Sequence, residues 1–336
     1  MSGSEEKPVD WRPDAGSVVE KIRPVIERVE GIRRMALERH AKAVRRGLAV
    51  GGGGAVIALL AAVAVADSSS PIHWFIFVLA VAAAIITYCL TDGGSRKAYR
   101  AILKREVFGA AAAEIAPGMR YLPEHMVPQD QFEAGGLFGS DIDRYDGEDS
   151  FSGRAGATDL LFSELHVQRK ETSSDSDGKT RTRWVTVFKG IYLVADFHKD
   201  FRCRVKIVPD VAEANFGWLG RKLQGVSGNL VRLANPEFEH AFKVTSDDDV
   251  GAHYLLTPDM QERFLALRNQ WSSDIRAALI DSCLHLAIPM KENWFEAGEA
   301  NPAGAIEPLQ RFLEQLVIVL HITETLDLNT RIWTKE

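Results

Sequence analysis

An acidic cluster near the middle of the chain contains residue types that could do chemistry. The stretch DIDRYDGED includes Asp141, Asp146 and Asp149. Carboxylate oxygens are the ligands that hard divalent cations prefer, so this cluster could bind such a cation. The same residues are common in solvated turns, because an Asp side chain accepts hydrogen bonds from nearby backbone N–H groups. Both interpretations stay open, and no metal site is predicted.

A second cluster, SDDDV, combines carboxylates with imidazoles. It contains Asp247 and Asp249, and His240 and His253 lie close to it in the sequence. These groups could bind a metal ion or act as general acid and base. Asp and Ser also begin helices and turns, which is the alternative interpretation. None of the nine histidines occurs in a His-Glu-x-x-His motif, so whether the chain is an enzyme stays open.

A glycine-rich stretch, GLAVGGGGAVIALL, raises the question of phosphate binding. Its glycines do not have the first, third and sixth spacing of a dinucleotide-binding turn, so no cofactor is predicted. Residues 47–66 and 71–90 instead form two runs without Lys, Arg, Asp or Glu, and 20 residues of helix span a bilayer core of about 30 Å. The runs predict an N-terminal transmembrane helical hairpin.

Basic residues flank the two uncharged runs. The flanking side chains that define the collar are Arg45, Arg46, Arg96, Lys97 and Arg100. By the positive-inside rule, this pattern predicts a protein of the plasma (inner) membrane with two spans and both termini in the cytoplasm. The predicted partners are the lipid bilayer and another membrane or cytoplasmic protein, and assembly into oligomers is left open.

Charge is unevenly distributed along the chain. Residues 121–336 contain 23 basic and 34 acidic side chains, which is a net charge of −11, whereas the whole chain carries −6. This balance argues against nucleic acid as a partner of the C-terminal region. The three cysteines are odd in number and far apart, which indicates neither a disulfide framework nor a zinc site.

The same patterns predict a domain organisation. A polar tail that we expect to be disordered precedes an amphipathic helix, and a basic juxtamembrane helix and linker follow the two spans. The C-terminal part is predicted to be a cytoplasmic domain. The predicted bounds are 1–16 for the tail, 17–46 for the helix, 47–66 and 71–90 for the spans, 91–120 for the linker region and 121–336 for the domain.

The C-terminal domain reads as α+β with a largely antiparallel sheet. Runs of β-branched residues on both sides of the polar stretch Thr172–Thr180 predict two strands joined by an exposed loop. Thr257 and Pro258 begin a predicted helix, and Asp281-Ser282 is the predicted turn of a hairpin. Ile306–Leu326 closes the chain as an amphipathic helix. FEHAFKVTS is predicted as a further strand.

Five segments carry a resemblance to a known family: YDGEDSFSG, TDLLFSELHVQ, VFKGIYLVADFHKDF, FEHAFKVTSDDDVGAHYLLTPDM and LDLNTRIWTK. Together they resemble a family of bacterial membrane proteins of unknown function, with two N-terminal spans and a cytoplasmic domain of this strand order. The resemblance implies a layout and supplies no activity, cofactor or catalytic residue.

Two function classes follow. The first is a membrane-anchored cytoplasmic interaction or regulatory module, in which anchoring raises the effective concentration for neighbours in the same bilayer. The second is a membrane-bound hydrolase or metal-dependent enzyme that uses the acidic clusters. A pocket in which two of the candidate residues converge would favour the enzyme, and dispersal of the candidates over separate loops would favour the interaction module.

Overall fold

The computed structural model describes residues 13–35, 37–38, 41–42, 44–45, 78, 82, 98–139, 141–174, 180–197, 199–210, 229–297 and 302–329. The chain divides into two compact units. Unit 1 comprises Met1–Pro13, Ala112–Glu296 and Gln310–Glu336, and unit 2 comprises Asp14–Ala111 and Ala297–Leu309.

A nine-stranded antiparallel sheet forms the centre of unit 1. Its strands lie in the order β1–β2–β3–β4–β9–β8–β5–β7–β6. The bounds are β1 Met119–Leu122, β2 Arg144–Ala155, β3 Thr158–Ser174, β4 Thr180–Asp196, β5 Val205–Pro209, β6 Asn229–Val231, β7 Phe242–Ser246, β8 Arg276–Ile280 and β9 Cys283–Pro289.

Helices flank the sheet and form the described part of unit 2. The α-helices are α1 Ala15–Lys21, α2 Gly109–Ile115, α3 Gln129–Ala134, α4 Pro236–Ala241, α5 Asp249–Leu255, α6 Pro258–Trp271 and α7 Ile306–Thr325. A π-helix, Leu103–Phe108, precedes α2. Residues 23–35 are also helical after a turn at Ile22.

Local sequence signals account for several of these boundaries. Thr257 is the N-cap of α6, where its hydroxyl accepts a hydrogen bond from the N–H of Met260, and Pro258 occupies the first turn. Asp281 and Ser282 have φ values of 49° and 62°, the left-handed geometry of a two-residue hairpin turn between β8 and β9. These two predictions and the C-terminal helix are confirmed.

The two faces of the sheet are covered by different parts of unit 1. The α3 face carries Tyr192, Leu165 and Ala278, and it packs against Phe132 of α3 and Leu137 after it. The α7 face carries a row of aromatic rings in which Phe151 stacks on Phe162 at 4.7 Å and lies 6.1 Å from Phe312 of α7. The core of unit 1 therefore consists of two layers, one on each side of the central strands.

Most described residues of unit 2 are helical. Glu30, in the helical residues 23–35, forms an ion pair with Arg33 and accepts a hydrogen bond from the N–H of Ala303. Arg28 lies 3.9 Å from Glu106 of the π-helix. The helical segments before and after the uncharged runs thus contact each other within this unit.

The predicted transmembrane hairpin is not supported. Among the described residues, no helix combines the length and the apolar character that crossing a membrane requires. The predicted spans 47–66 and 71–90 lie outside the described residues, apart from Val78 and Ala82. The two-span fold class and the inner-membrane location are therefore corrected. The structure supports an α+β fold with a large antiparallel sheet.

The transmembrane prediction treated an uncharged run of 20 residues as sufficient evidence for a membrane span. Lack of charge and a length of 20 residues are necessary for a span, but they do not ensure a stable apolar helix. The first run contains four consecutive glycines and only eight Leu, Ile, Val or Phe residues. Each glycine costs about 1 kcal/mol of helix stability relative to alanine, so this run is a weak helix former.

One predicted strand is partly wrong. FEHAFKVTS begins inside α4, and β7 starts only at Phe242. Asn235 caps α4 by accepting hydrogen bonds from the N–H groups of Glu237 and Phe238, and Pro236 occupies the first turn. These capping signals outweigh the alternation of apolar residues.

Candidate functional site

The second acidic cluster forms the turn between β7 and α5. Asp248 is the N-cap of α5, and its carboxylate accepts a hydrogen bond from the N–H of Val250 at 3.1 Å. The Asp247 carboxylate accepts one from the N–H of Arg204 at 2.7 Å, and Asp249 lies in the first helical turn. Asp247 and Asp249 are thus brought close together, at positions where carboxylates stabilise backbone N–H groups and the helix end.

His253 lies one turn later on α5, between two carbonyl groups. Its Nδ1 is 2.8 Å from the carbonyl oxygen of Asp249, and its Nε2 is 3.2 Å from that of Arg232. Carbonyl oxygens only accept, so both contacts are hydrogen bonds only when both ring nitrogens carry protons. The bond to the Asp249 carbonyl is the largest of the effects that raise the pKa of His253. His240 lies exposed on a different helix, α4.

Cys203 is packed against the same turn. A Cβ atom on Gly251 would lie 2.7 Å from its Sγ, so α5 approaches the thiol closely. Burial, followed by the charges of Asp248 and Asp247, raises the pKa of the Cys203 thiol. This environment keeps the thiol protonated, which is the opposite of what activates a cysteine nucleophile.

The carboxylates of the first acidic cluster differ in their burial. Asp141 is exposed before β2, and Asp146 is exposed on β2, 3.9 Å from Arg144. Asp149 is fully buried at a β-bulge of β2, where its φ is 60°. The structure therefore separates the buried carboxylate from the two exposed ones.

Asp149 joins the bulge to the chain that follows β1. The hydroxyl of Tyr121 donates a hydrogen bond to its carboxylate, and the N–H of Asp149 donates to the carbonyl of Pro123 at 3.0 Å. Burial and the Asp149 charge raise the pKa of Tyr121 well above its ordinary value. The phenol consequently stays protonated and acts as a donor. Bulges re-aim side chains and end strand pairing, and here the bulge directs a carboxylate inward.

Metal-ligating groups do not converge in the part of the chain that the structure describes. No three His, Cys, Asp or Glu side chains there are arranged so that they could hold a metal ion. No residues are therefore assigned to a metal or a cofactor. A catalytic role for the seven candidate residues stays an untested prediction. Of the basic collar, Arg45 and Arg100 lie in helical residues, and Arg46, Arg96 and Lys97 lie outside the described residues.

A buried polar layer on the α3 face was missed by the sequence patterns. The Tyr192 hydroxyl lies 3.2 Å from Nδ1 of His285 and donates to the carbonyl of Phe132 at 3.3 Å. Burial lowers the pKa of His285 to about 4 and raises that of Tyr192. Both side chains are therefore neutral at physiological pH. The layer links β4 and β9 to α3.

Two cations lie under the turn that follows α3. Arg276 donates to the carbonyl of Leu137 at 3.3 Å, and a Cβ atom on Gly136 would lie 2.9 Å from Nζ of Lys206. Burial lowers the pKa of both Arg276 and Lys206. Cations favour the carbonyl-rich C-terminal end of a helix, so these residues hold α3 on the sheet. The arrangement is that of a structural anchor.

A cavity of about 560 Å³ lies beside the last residues of β9. It is lined by Arg268 and Asn269 of α6, by Ser272–Asp274, and by Pro289–Lys291. The Ser273 hydroxyl donates to the carbonyl of Pro289 at 3.0 Å and closes one wall. The cavity has two cationic side chains and one carboxylate, so its local charge is positive.

A two-stranded ribbon extends beyond the sheet, and we define it as residues 169–174 of β3 and 180–185 of β4. β2 pairs with β3 only as far as Gln168, and β9 pairs with β4 only from Gly190 onward. Beyond these limits, β3 and β4 still pair with each other. The first of these pairs is Arg169 with Val185, and the last is Ser174 with Thr180. The ribbon is thus the distal half of a long hairpin whose proximal half lies in the core.

The ribbon exposes basic side chains and one large aromatic ring. Lys170, Arg181 and Arg183 are exposed, and Glu171 is the anionic exception, which accepts a hydrogen bond from Arg169. Trp184 is 41% exposed. The Arg144 guanidinium of β2 lies 4.4 Å from the centroid of its indole, which is a cation–π contact. This surface is positive although the surrounding domain is acidic.

A signal for the ribbon was present in the sequence. The stretches QRKETSS and TRTRW contain no apolar residue apart from Trp184. The neighbouring stretches LLFSELHV and VFKGIYLVA are largely apolar. Loss of the apolar alternation within one strand indicates where the strand leaves the core. The ribbon was instead assigned in part to a loop, Thr172–Thr180. Residues 175–179, at its tip, lie outside the described residues.

Comparison with known proteins finds a match for the C-terminal part of the chain. The model of a family described as "Protein of unknown function (DUF3137)" matches residues 186–328. No curated protein and no solved structure matches the chain. The matched region begins within β4 and ends just after α7, so it excludes β1 to β3 and the whole ribbon. Residues 186–328 thus contain a domain of unknown function, consistent with an uncharacterised family.

Proposed function

We propose that this chain is a protein-interaction module and that the ribbon is its docking element. The observation that carries the proposal is the projection of the ribbon past the strands on both sides of it, with Trp184 and three cationic side chains exposed. Two-stranded projections of this kind are accessible to a partner on both faces. The core needs none of these exposed side chains for packing.

Trp184 has the properties of an interface anchor. Trp and Arg are enriched among residues that dominate binding energy. A Trp ring buries a large area and has only two side-chain torsion angles to order. The indole is exposed, but its rotation is restricted because the Arg144 guanidinium stacks on it. Arg144 itself donates a hydrogen bond to the side chain of Gln168 at 3.2 Å. Ordering this pair in the unbound protein lowers the entropy cost of binding.

The placement of the sequence-predicted candidates supports the same conclusion. Asp247 and Asp249 lie at the start of α5, where Asp247 accepts a backbone hydrogen bond, and Asp149 accepts from Tyr121 inside a bulge. His253 contacts two backbone carbonyls. Asp247, Asp249 and His253 lie at the turn into α5 and on α5 itself, whereas Asp149 lies on β2. All four take part in local structure, and this pattern favours an interaction module over an enzyme.

Site-specific photocrosslinking tests the proposal. A photoreactive amino acid replaces Trp184 in the full chain, expressed in its native cells, and the matched control carries it at Val250, which is 80% exposed on α5. We expect discrete crosslinked proteins, identified by mass spectrometry, at position 184 and not at position 250. We also expect the Arg181→Glu/Arg183→Glu background to remove these adducts.

Two results would contradict the proposal. One is the absence of any adduct at position 184 at an expression level that leaves the fold intact by circular dichroism. The other is an identical set of adducts at both positions, because this would indicate random collision and not docking.

A further inference from the structure

We infer that the outer edge of β4, residues 181–188, binds an extended acidic segment of a partner protein as an additional antiparallel or parallel strand. This inference rests on the proposed function and names the chemistry of the partner. Strand addition uses unpaired backbone groups for affinity and side chains for selectivity. The backbone edge and the charges around it carry the argument.

The edge of β4 is open over most of the ribbon. Gly190–Asp196 pair with β9 on one side, whereas residues 180–186 and Phe188 pair only with β3 among the described residues, and Val187 lies at a shift in the register. The outer edge of β3 differs, because the Asp143 carboxylate accepts a hydrogen bond from the N–H of Lys170 at 2.6 Å. The N–H of Asp143 also donates to the carbonyl of Gln168 at 3.0 Å. The β4 edge is thus the accessible one.

The chain after β9 leaves this edge instead of covering it. The N–H of Met290 donates to the carbonyl of Lys189 at 2.9 Å, and Nζ of Lys189 donates to the carbonyl of Lys291 at 3.3 Å. The chain then turns to the α7 face, where the N–H of Trp294 donates to the buried carboxylate of Glu164 at 2.8 Å. A strand added along β4 would therefore continue the line of β9.

The charges along this path are positive. Arg181 and Arg183 are exposed on β4 itself, and their cross-strand neighbours place them on one face of the ribbon. Where β9 ends, Lys291 and Arg268 line the cavity of about 560 Å³. A partner strand with Asp or Glu at alternate positions would bring opposite charges face to face, and such cross-strand pairs stabilise strand pairing.

A second copy of this chain fits the basic end of the edge less well. If two β4 edges paired about a two-fold axis at Thr182, Arg181 and Arg183 of one chain would lie opposite Arg183 and Arg181 of the other. Like charges that lie opposite each other destabilise strand pairs, and charged side chains on edge strands prevent self-association in this way. The same charges that oppose self-pairing therefore favour an acidic partner.

Peptide binding to the full chain tests the inference. The probe is a fluorescent peptide of alternating Val and Glu, as long as the open edge, and fluorescence anisotropy measures its dissociation constant. One control peptide replaces Glu by Lys, and another carries N-methyl groups on its two central residues, which blocks backbone bonding on both of its edges. We expect each control peptide to bind at least about tenfold more weakly, a difference of about 1.4 kcal/mol.

Matched variants locate the site. Arg181→Glu/Arg183→Glu reverses two charges on the ribbon, and Arg202→Glu/Arg204→Glu reverses two exposed charges before β5. We expect the ribbon variant to lose about tenfold or more in affinity and the control to change by less than about threefold, since both change the net charge equally. Amide hydrogen exchange of residues 181–188 should slow when the peptide is bound.

Each other outcome overturns the inference. Equal binding of the N-methylated peptide would show that backbone pairing is not used, and equal binding of the Lys peptide would show that acidity is not selected. Equal losses in both Arg variants, or no binding by any peptide, would also refute it. The crosslinking at position 184 reports separately on the ribbon as a docking element, so the two proposals can fail independently.

Discussion

The two halves of the β3–β4 hairpin have the same backbone pairing and opposite surroundings. In the proximal half, Phe162 and Leu193 are paired on the α7 face, and both are fully buried. In the distal half, Lys170 and Trp184 are paired, and both are exposed. Strand pairing by itself therefore does not decide which part of this hairpin belongs to the core.

This contrast agrees with the proposal that the ribbon serves binding. The proximal half is covered on one face by Phe132 and its neighbours and on the other by the aromatic row. Substitution of the buried side chains in the proximal half lowers the free energy of unfolding, because packing contacts are lost. In the ribbon, Arg169 is buried, whereas Lys170, Arg181, Arg183 and Trp184 are exposed, so the exposed side chains can change with little effect on stability. The following experiments test this contrast between the two halves.

The largest effect is expected in the aromatic row. Phe162→Ala removes a ring that lies 4.7 Å from Phe151 and 6.4 Å from Phe295, in a fully buried position. Truncation of a buried Phe costs about 3–5 kcal/mol of unfolding free energy, through lost transfer energy and the cavity left behind. Urea unfolding followed by circular dichroism measures this loss. A loss below about 1 kcal/mol would mean that the row is not a packed core.

The buried polar layer should make stability fall in acid. His285 has its pKa lowered to about 4 by burial, and in the unfolded chain it returns to its ordinary value of 6.5. The unfolded state therefore binds the proton more readily, and this contribution is complete above pH 6.5 and decreases as the pH falls toward 4. The 2.5-unit difference corresponds to about 3 kcal/mol.

Comparison of the wild type with His285→Gln isolates this titration. We expect the unfolding free energy, measured at several pH values between 4 and 7, to decline less steeply with falling pH in the variant, because the variant lacks the titrating ring. Parallel curves for the two proteins would rule out the buried neutral imidazole.

A smaller loss is expected at the turn after α3. A Cβ atom on Gly135 would lie 2.2 Å from the hydroxyl of Tyr192 and 3.1 Å from the ring of His285, both of which are buried. Gly135→Ala forces one of these side chains to move, and overpacking of this kind costs about 1–3 kcal/mol. Thermal unfolding of Gly135→Ala beside the exposed-site control Glu133→Ala measures it. An equal effect of the two substitutions would argue against close contact of the turn with the sheet.

The smallest effect on stability is expected in the ribbon. Trp184→Ala removes an exposed ring and its stacking on Arg144, so the unfolding free energy should change by no more than about 0.5 kcal/mol. The same substitution should weaken binding of the acidic peptide several-fold. A stability loss comparable to that of Phe162→Ala would place Trp184 in the core and remove the contrast between the two halves.

Short-range patterns predicted much of the fold correctly. The cap at Thr257, the turn at Asp281-Ser282 and the amphipathic C-terminal helix each depend on a few neighbouring residues, and the structure contains all three. The burial of the candidate residues could not be predicted from the sequence. Asp149 and Asp146 are close in the sequence, but a bulge buries one and leaves the other exposed, which composition does not reveal.

The sequence by itself determined local geometry and charge. Capping residues, hairpin turns, apolar alternation and the excess of acidic residues in 121–336 can all be read without knowledge of distant contacts. It did not determine the transmembrane hairpin, which the described residues do not support.

The open edge of β4 depends on contacts between segments that are distant in the sequence. Among the described residues, this edge of β4 is unpaired before Gly190 because β9 ends at Pro289, and the chain then turns to the other face of the sheet. The neutral state of His285 likewise depends on Tyr192 and α3, which are far from it in sequence. Strand lengths and burial are set by partners that the chain brings together on folding, so no local pattern contains them.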